Sequence, residues 1–230
     1  MTNFNITLYG HITYDTIFNG QRVSSSVGSI GNVWRALLWL SNNINIQIEP
    51  TEIGEALIFV DEPNCKRAST ACLSLKNRTP NINNSDWAHV LYINELNDLS
   101  FIKKVRKSSR VISADICSGK ILKDTSILQN IDYLFISDED MWLSSIDELA
   151  SLVKGWVILH NPAGSICCNG KTKFEIRIDK VLKDINILGA GDIFAASVIT
   201  NTLQCTGKDL KDIINKSHNT TSNILLQYNE

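Results

Sequence analysis

Four stretches in the middle of the chain restrict the fold more than anything else in it. Ala88–Ile93, Arg110–Asp115, Tyr133–Ile136 and Trp156–His160 are strand-length and largely apolar, with little polar–apolar alternation. A strand apolar on both sides must be covered on both sides. Between them lie stretches of helical composition, Asn97–Lys107 with a basic end and Asp147–Lys154. Strand and helix alternating in this way predict an α/β chain with a parallel sheet between helices. Several strands end in polar groups: Asp115, then Ser137–Asp140, then His160–Gly164. Sheets of this kind bind ligands beyond the carboxyl ends of their strands.

The first part of the chain reads differently. Phe4–Tyr9 alternates as a strand and is expected to end at Gly10, with Asp15 just beyond it. Taken alone, Asp15 reads as readily as a turn residue as a ligand contact. Asn19-Gly20 is a hairpin signal. Val27-Gly28-Ser29-Ile30-Gly31-Asn32 leads into a helix expected from about Val33 to Leu40. There Asn32 either caps the helix or meets a ligand. Arg78–Asp86 reads as a loop, and Lys208–Gln227 as one or two helices.

Near the C-terminus, Leu188-Gly189-Ala190-Gly191-Asp192-Ile193-Phe194 reads as a glycine turn opening a helix. Phe194, Ala195, Val198, Ile199 and Leu203 follow near helical spacing. Gly189 and Gly191 remove the Cβ atoms that would keep a ligand from the backbone. The unpaired first-turn amides and the helix dipole then favour an anion. Asp192 places a carboxylate beside that anion, where it can take the proton of an alcohol attacking a phosphate. As a plain alternative, Asp192 is a helix-terminus residue and no more. A dinucleotide fingerprint is disfavoured, since it needs glycine where Phe194 stands.

Composition removes whole classes of function. The net charge of −2 offers no basic surface for nucleic acid. No apolar run is long enough for a membrane span. No charged and then apolar leader is visible at the N-terminus. The six cysteines are scattered, without a Cys-x-x-Cys pair, and fit a reduced, cytoplasmic protein rather than a disulfide or zinc framework.

The run Gly189-Ala190-Gly191-Asp192-Ile193-Phe194 resembles the C-terminal signature of the ribokinase-like (PfkB) carbohydrate kinases, Asp-Thr-x-Gly-Ala-Gly-Asp-x-Phe. Asn186 and Ile187 replace its Asp-Thr. Weaker likenesses follow in the same order along the chain. Gly10 and Asp15 fit a Gly-x4-Asp run, and Gly28 and Asn32 fit Gly-Gly-x-x-x-Asn with Val27 at the first glycine. Asp115 fits an Asp-Pro-Asn run. Ser137 and Asp140 stand for Asn-x-x-Glu, and Asn161 and Gly164 lie in a Thr-x-Gly-x-x-Gly nucleotide loop. Asn219 lies where a late helix lines the adenine pocket. Compared with that pattern, one strand–helix unit is missing between residues 42 and 53.

The resemblance implies a ribokinase-like three-layer α/β/α sandwich, α/β with a mostly parallel sheet. It implies one domain over residues 1–230, with a small β lid at about 16–27 and 53–75. It further implies an ATP-dependent kinase acting on a hydroxyl of a sugar or sugar-like molecule, a nucleoside included. Asp192 is then the base, and the amides of Gly189, Ala190 and Gly191 form the anion hole. Asp15, Gly28 and Asn32 bind the acceptor, Asn161, Gly164 and Asn219 the nucleotide, and Asp140 orders Mg²⁺ through water. The family's Asp-Thr helps build a monovalent-cation site, so cation activation is not expected here. Homodimerisation through the lid is a further expectation, because exposed sheet edges tend to pair. The rival reading is a kinase-fold protein that binds a small ligand or protein partner without transferring phosphate.

Overall fold

The computed structural model describes residues 3–61, 66–74, 78–117, 121–141, 143, 145–179, 181–182 and 188–228. Two compact units divide the chain. One comprises Met1–Gly10, Asn43–Thr51 and Thr79–Asp179, the other His11–Asn42, Glu52–Arg78 and Lys180–Glu230. Strands β1 (Phe4–Asn19) and β3 (Ile44–Asp61) are long enough to serve both.

In the first unit the strand order is β10-β9-β8-β7-β6-β5-β1-β3. Here β5 is Ser85–Val90, β6 Ser109–Ile116, β7 Tyr133–Ser137, β8 Trp156–Asn161, β9 Gly164–Cys168 and β10 Lys173–Arg177. The pairs β1·β5, β5·β6, β6·β7 and β7·β8 are all parallel. Helix α2 (Ile102–Ser108) packs beside β6, and α3 (Ile146–Leu152) beside β8 and β9. The unbroken apolar character of these strands follows from that cover: Trp87, Ala88, Val90, Ile112, Leu134, Ile136 and Val157 are all fully buried. One buried polar cluster joins β5 to β6. Ser113 Oγ accepts from Trp87 Nε1 at 2.7 Å and lies 2.8 Å from His89 Nδ1. At the opposite end of the strands, Asp132 accepts from Ile112 N and Lys154 Nζ, each at 2.8 Å, and from the Arg106 guanidinium. One carboxylate thus ties α2, β6 and the entry to β8.

The second unit holds the outer halves of β1 and β3 with β2 (Arg22–Val27) and β4 (Lys66–Ser74). The pairs β1·β2 and β3·β4 are antiparallel. The first closes at the expected turn, with Asn19 opposite Arg22. Among the described residues, three helices complete the unit. Helix α4 (Ala190–Gln204) packs against both α1 (Ser29–Leu40) and α5 (Leu210–Tyr228). Residues 192–201 of α4 are all buried, which explains why its apolar positions show so weak a periodicity.

Several boundaries differ from the sequence expectation. β1 does not stop at Gly10 but continues to Asn19. Gly10 has φ +150°, and a Cβ there would lie 3.1 Å from both Leu91 Cβ and Leu91 O, so the glycine carries the strand through rather than ending it. β3 runs unbroken from residue 44 to 61, so no helix separates α1 from the antiparallel strands. α2 begins at Ile102 rather than Asn97, because Asp98 Oδ1 accepts from Ser100 N and holds a turn there. Helix α1 starts earlier than expected, at Ser29. The antiparallel strands β9 and β10 were not anticipated.

Candidate active site

Helix α4 opens on Gly189, which adopts the left-handed conformation with φ +80°. Its carbonyl accepts from Ile193 N at 2.9 Å, so the helix is already wound beyond it. Ala190 and Gly191 form the first two helical positions and stay partly exposed. First-turn amides have no acceptor within their own helix. Asp192 stands third and is only 5% exposed.

Asp192 is held from another helix. Asn32 Nδ2 on α1 donates to Asp192 Oδ2 at 2.8 Å. The same amide lies against Gly189, where a Cβ would come within 2.8 Å of Asn32 Nδ2. Arg35 Nη2, one turn along α1, donates to Asn32 Oδ1 at 2.7 Å and to Ser26 Oγ on β2 at 3.1 Å. Asn32 therefore does not cap α1. Gly28 is the N-cap and no side chain caps it.

Gly28 also connects this group to β1. Its N–H donates to Thr13 O at 2.8 Å, and its own carbonyl accepts from Gly31 N and Asn32 N. A Cβ at position 28 would collide with Thr13 Oγ1 and approach both Asp15 carboxylate oxygens at 3.2 and 3.3 Å. Asp15 is buried, and its Oδ1 has no hydrogen-bond partner among the described residues. Burial pushes the Asp15 carboxyl above its usual range, while a hydrogen bond from Thr13 and the charge of His11 oppose the shift. A buried carboxylate oxygen without a donor is costly unless a ligand supplies one.

Asp15, Gly28, Asn32, Gly189 and Asp192 thus come together within the second unit, although they lie far apart in the chain. Asn219 belongs to the same unit but is exposed on α5. Beside it, the His218 ring stacks on Phe194 of α4 with centroids 4.4 Å apart. Arg35 and Thr13 were missed by sequence reasoning. Arg35 carried one signal, its place three residues after Asn32 on one helix face.

The strand-tip residues lie in the first unit. Asp138–Asp140 form a short 3-10 turn directly after β7 rather than the start of a longer helix. Asn161 Nδ2 donates to Asp138 Oδ2 at 2.9 Å, and Asn161 Oδ1 accepts from Ala163 N at 2.8 Å, shaping the turn into β9. Gly164 pairs opposite Asn161, and a Cβ there would strike the carbonyl of Ile176. Its backbone is therefore fixed by the β9·β10 pairing. His160 beside them is pushed down to about 4 by desolvation, against the pull of the Asp115 and Asp138 carboxylates. Asp115 itself is buried and accepts from the Tyr92 amide.

Among the described residues, no group of three or more His, Cys, Asp or Glu is placed to hold a metal ion. Asp140 is compatible with an ion that keeps most of its water and takes further oxygens from phosphates, as Mg²⁺ does. Asn186 and Ile187, on which the monovalent-cation expectation turned, lie outside the described residues. Cys117, Cys167, Cys168 and Cys205 are free thiols. Among the described residues, no helix is long and apolar enough to cross a membrane.

Comparison with solved structures finds the same fold over nearly the whole chain. Adenosine kinase from Sinorhizobium meliloti matches with a TM-score of 0.75 at 12% identity, over 98% of this chain and 95% of that one. The nucleoside kinase of Methanocaldococcus jannaschii, described as an archaeal member of the ribokinase family, matches at 0.69 and 19% identity, over 98% and 92%. Arabidopsis thaliana ribokinase, in complex with ribose and ATP, matches at 0.68 and 13% identity, over 98% and 93%. The chain therefore has the ribokinase-like α/β fold, a largely parallel sheet flanked by helices. No protein-family model matches it, and no curated protein matches it by sequence.

Proposed function

We propose that this chain is an ATP-dependent phosphotransferase acting on a hydroxyl of a sugar or sugar-like small molecule, nucleosides included. The observation that carries the reading is the buried Asp192 carboxylate, clamped by Asn32 in the first turn of a helix that opens on a left-handed glycine. A clamped carboxylate beside helix-opening amides suits a proton acceptor next to an anion. The kinases sharing this fold support the same chemistry.

In the reaction, the acceptor oxygen forms its bond to the γ-phosphorus as the bond to the β-phosphate oxygen breaks, and ADP departs. The hydroxyl proton passes to Asp192. Such a base contributes roughly 10²–10⁴-fold. The Gly189, Ala190 and Gly191 amides stabilise charge on the moving phosphoryl group, at about 3 kcal/mol per donor in comparable anion holes. Asp15 Oδ1 accepts from an acceptor hydroxyl and so gains the donor it lacks. Asn161, Gly164 and Asn219 are the proposed nucleotide contacts. Mg²⁺ would neutralise the phosphates, with Asp140 reaching it through water.

The test is ATP turnover with a panel of sugars and nucleosides, comparing wild type with Asp192→Asn. Acceptor-dependent ADP release by wild type, reduced at least 100-fold in the variant, supports the proposal. Equal, negligible turnover in both, with ligand binding retained, establishes the non-catalytic alternative.

A further inference from the structure

We infer that Arg35 is a positioning residue that ties the orientation of the Asp192 carboxylate to the strand pair carrying Asp15. The inference rests on the kinase reading for its catalytic meaning, though the linkage itself is a geometric statement.

The linkage is continuous. Asp15 on β1 is paired with Ser26 on β2 in the antiparallel register. Arg35 donates to Ser26 Oγ at 3.1 Å and to Asn32 Oδ1 at 2.7 Å. Asn32 in turn donates to Asp192 Oδ2 at 2.8 Å. An amide has two ends. When a guanidinium occupies the oxygen, the nitrogen is fixed toward the carboxylate and its N–H bond is further polarised. Without Arg35, Asn32 can turn over and present its oxygen to Asp192, which repels it. Ser26 in turn donates to Val27 O at 3.1 Å, so its hydroxyl is directed rather than freely rotating.

Arg35 is exposed on α1. An exposed side chain adds little to stability. Its effect therefore belongs in the rate, through the placement of a group that must meet the acceptor proton. Misplacement on the scale of one ångström costs on the order of 100-fold.

Two measurements separate this inference from the kinase reading. The first is NMR of the Asn32 side-chain amide, which needs no turnover. In wild type one amide proton carries the downfield shift of a hydrogen bond to a carboxylate, and that shift is lost in Asp192→Asn. In Arg35→Met the two amide protons move toward the shifts of a free side-chain amide. The second is steady-state kinetics. Arg35→Met lowers kcat about 10- to 100-fold with acceptor KM changed less than about 3-fold. Arg35→Lys restores part of kcat, since an ammonium still offers donors to the Asn32 oxygen but from a differently shaped side chain. An Asn32 amide unaffected by Arg35→Met overturns the linkage. Turnover unchanged in Arg35→Met overturns the positioning role. An intact NMR linkage in a wild-type protein without turnover instead overturns the kinase reading and leaves the linkage standing.

Discussion

Gly189→Ala tests the site at its tightest point. Two costs are expected. Alanine at φ +80° carries a penalty of about 1–2 kcal/mol. Its Cβ would also lie 2.8 Å from Asn32 Nδ2 and 3.1 Å from Asn32 Cγ. A side-chain end could ordinarily swing aside, but this one is held by Asp192 and Arg35 together. Displacing it breaks a hydrogen bond to a charged group, which is worth about 1.5–3 kcal/mol. The total is about 3 kcal/mol, or a fall in Tm of roughly 6–12 °C for a chain of this size. The two contributions separate in a double-mutant cycle with Asn32→Ala. In that background only the backbone cost should remain, giving a coupling of about 1.5 kcal/mol or more. Urea unfolding of the four proteins measures it. A coupling below about 0.5 kcal/mol would show that the glycine is required only for its backbone angle and that Asn32 is not pinned as described.

Three other predictions are independent of that one. Asp15→Asn raises Tm at neutral pH while weakening acceptor binding, because burial lifts the folded-state carboxyl above its unfolded value; the charged form is then a liability that eases as pH falls through the folded value, and thermal melts with acceptor titrations check both parts. His160 behaves oppositely: its folded value of about 4 lies below the ordinary histidine range, so protonation favours the unfolded chain. Stability is lost as pH falls from about 6.5 to about 4, by at most about 3 kcal/mol, and His160→Gln should flatten that slope in melts across this range. Homodimerisation through the lid, expected from the sequence, would bury apolar residues such as Ile53, Leu57 and Phe59, which are 45, 44 and 51% exposed; light scattering of wild type against Leu57→Glu checks whether the chain mass doubles and whether the substitution returns it to the single mass.

The parallel core was legible because burial on both faces leaves an unmistakable imprint. A strand such as Leu134–Ile136, buried on both faces, needs apolar residues throughout, whatever its neighbours. The turn into α4 was legible for a different reason, since Gly189 and Gly191 are local requirements of a helix opening. Strand continuity was not. At Gly10 the sequence offers a stop signal, and only the close approach of Leu91 explains why the chain runs straight on. The β9·β10 pair depends on Gly164 fitting under the Ile176 carbonyl, a tertiary condition without local pattern. Within the candidate site, Asp15, Asn32 and Asp192 were each readable as residue types that suit the chemistry. The Arg35 bridge was not, because it exists only once α1, β2 and α4 have met.

The bond between Asn32 and Asp192 spans 160 positions of sequence. A ribosome adding roughly 5–20 residues per second therefore needs on the order of ten seconds or more between making the holder and making the acid it holds. Throughout that interval the nascent polypeptide possesses Asp15 and Asn32 but no competent centre. On the proposed reading, the residues that hold the acceptor and orient its base are therefore made long before the helix that carries the base itself.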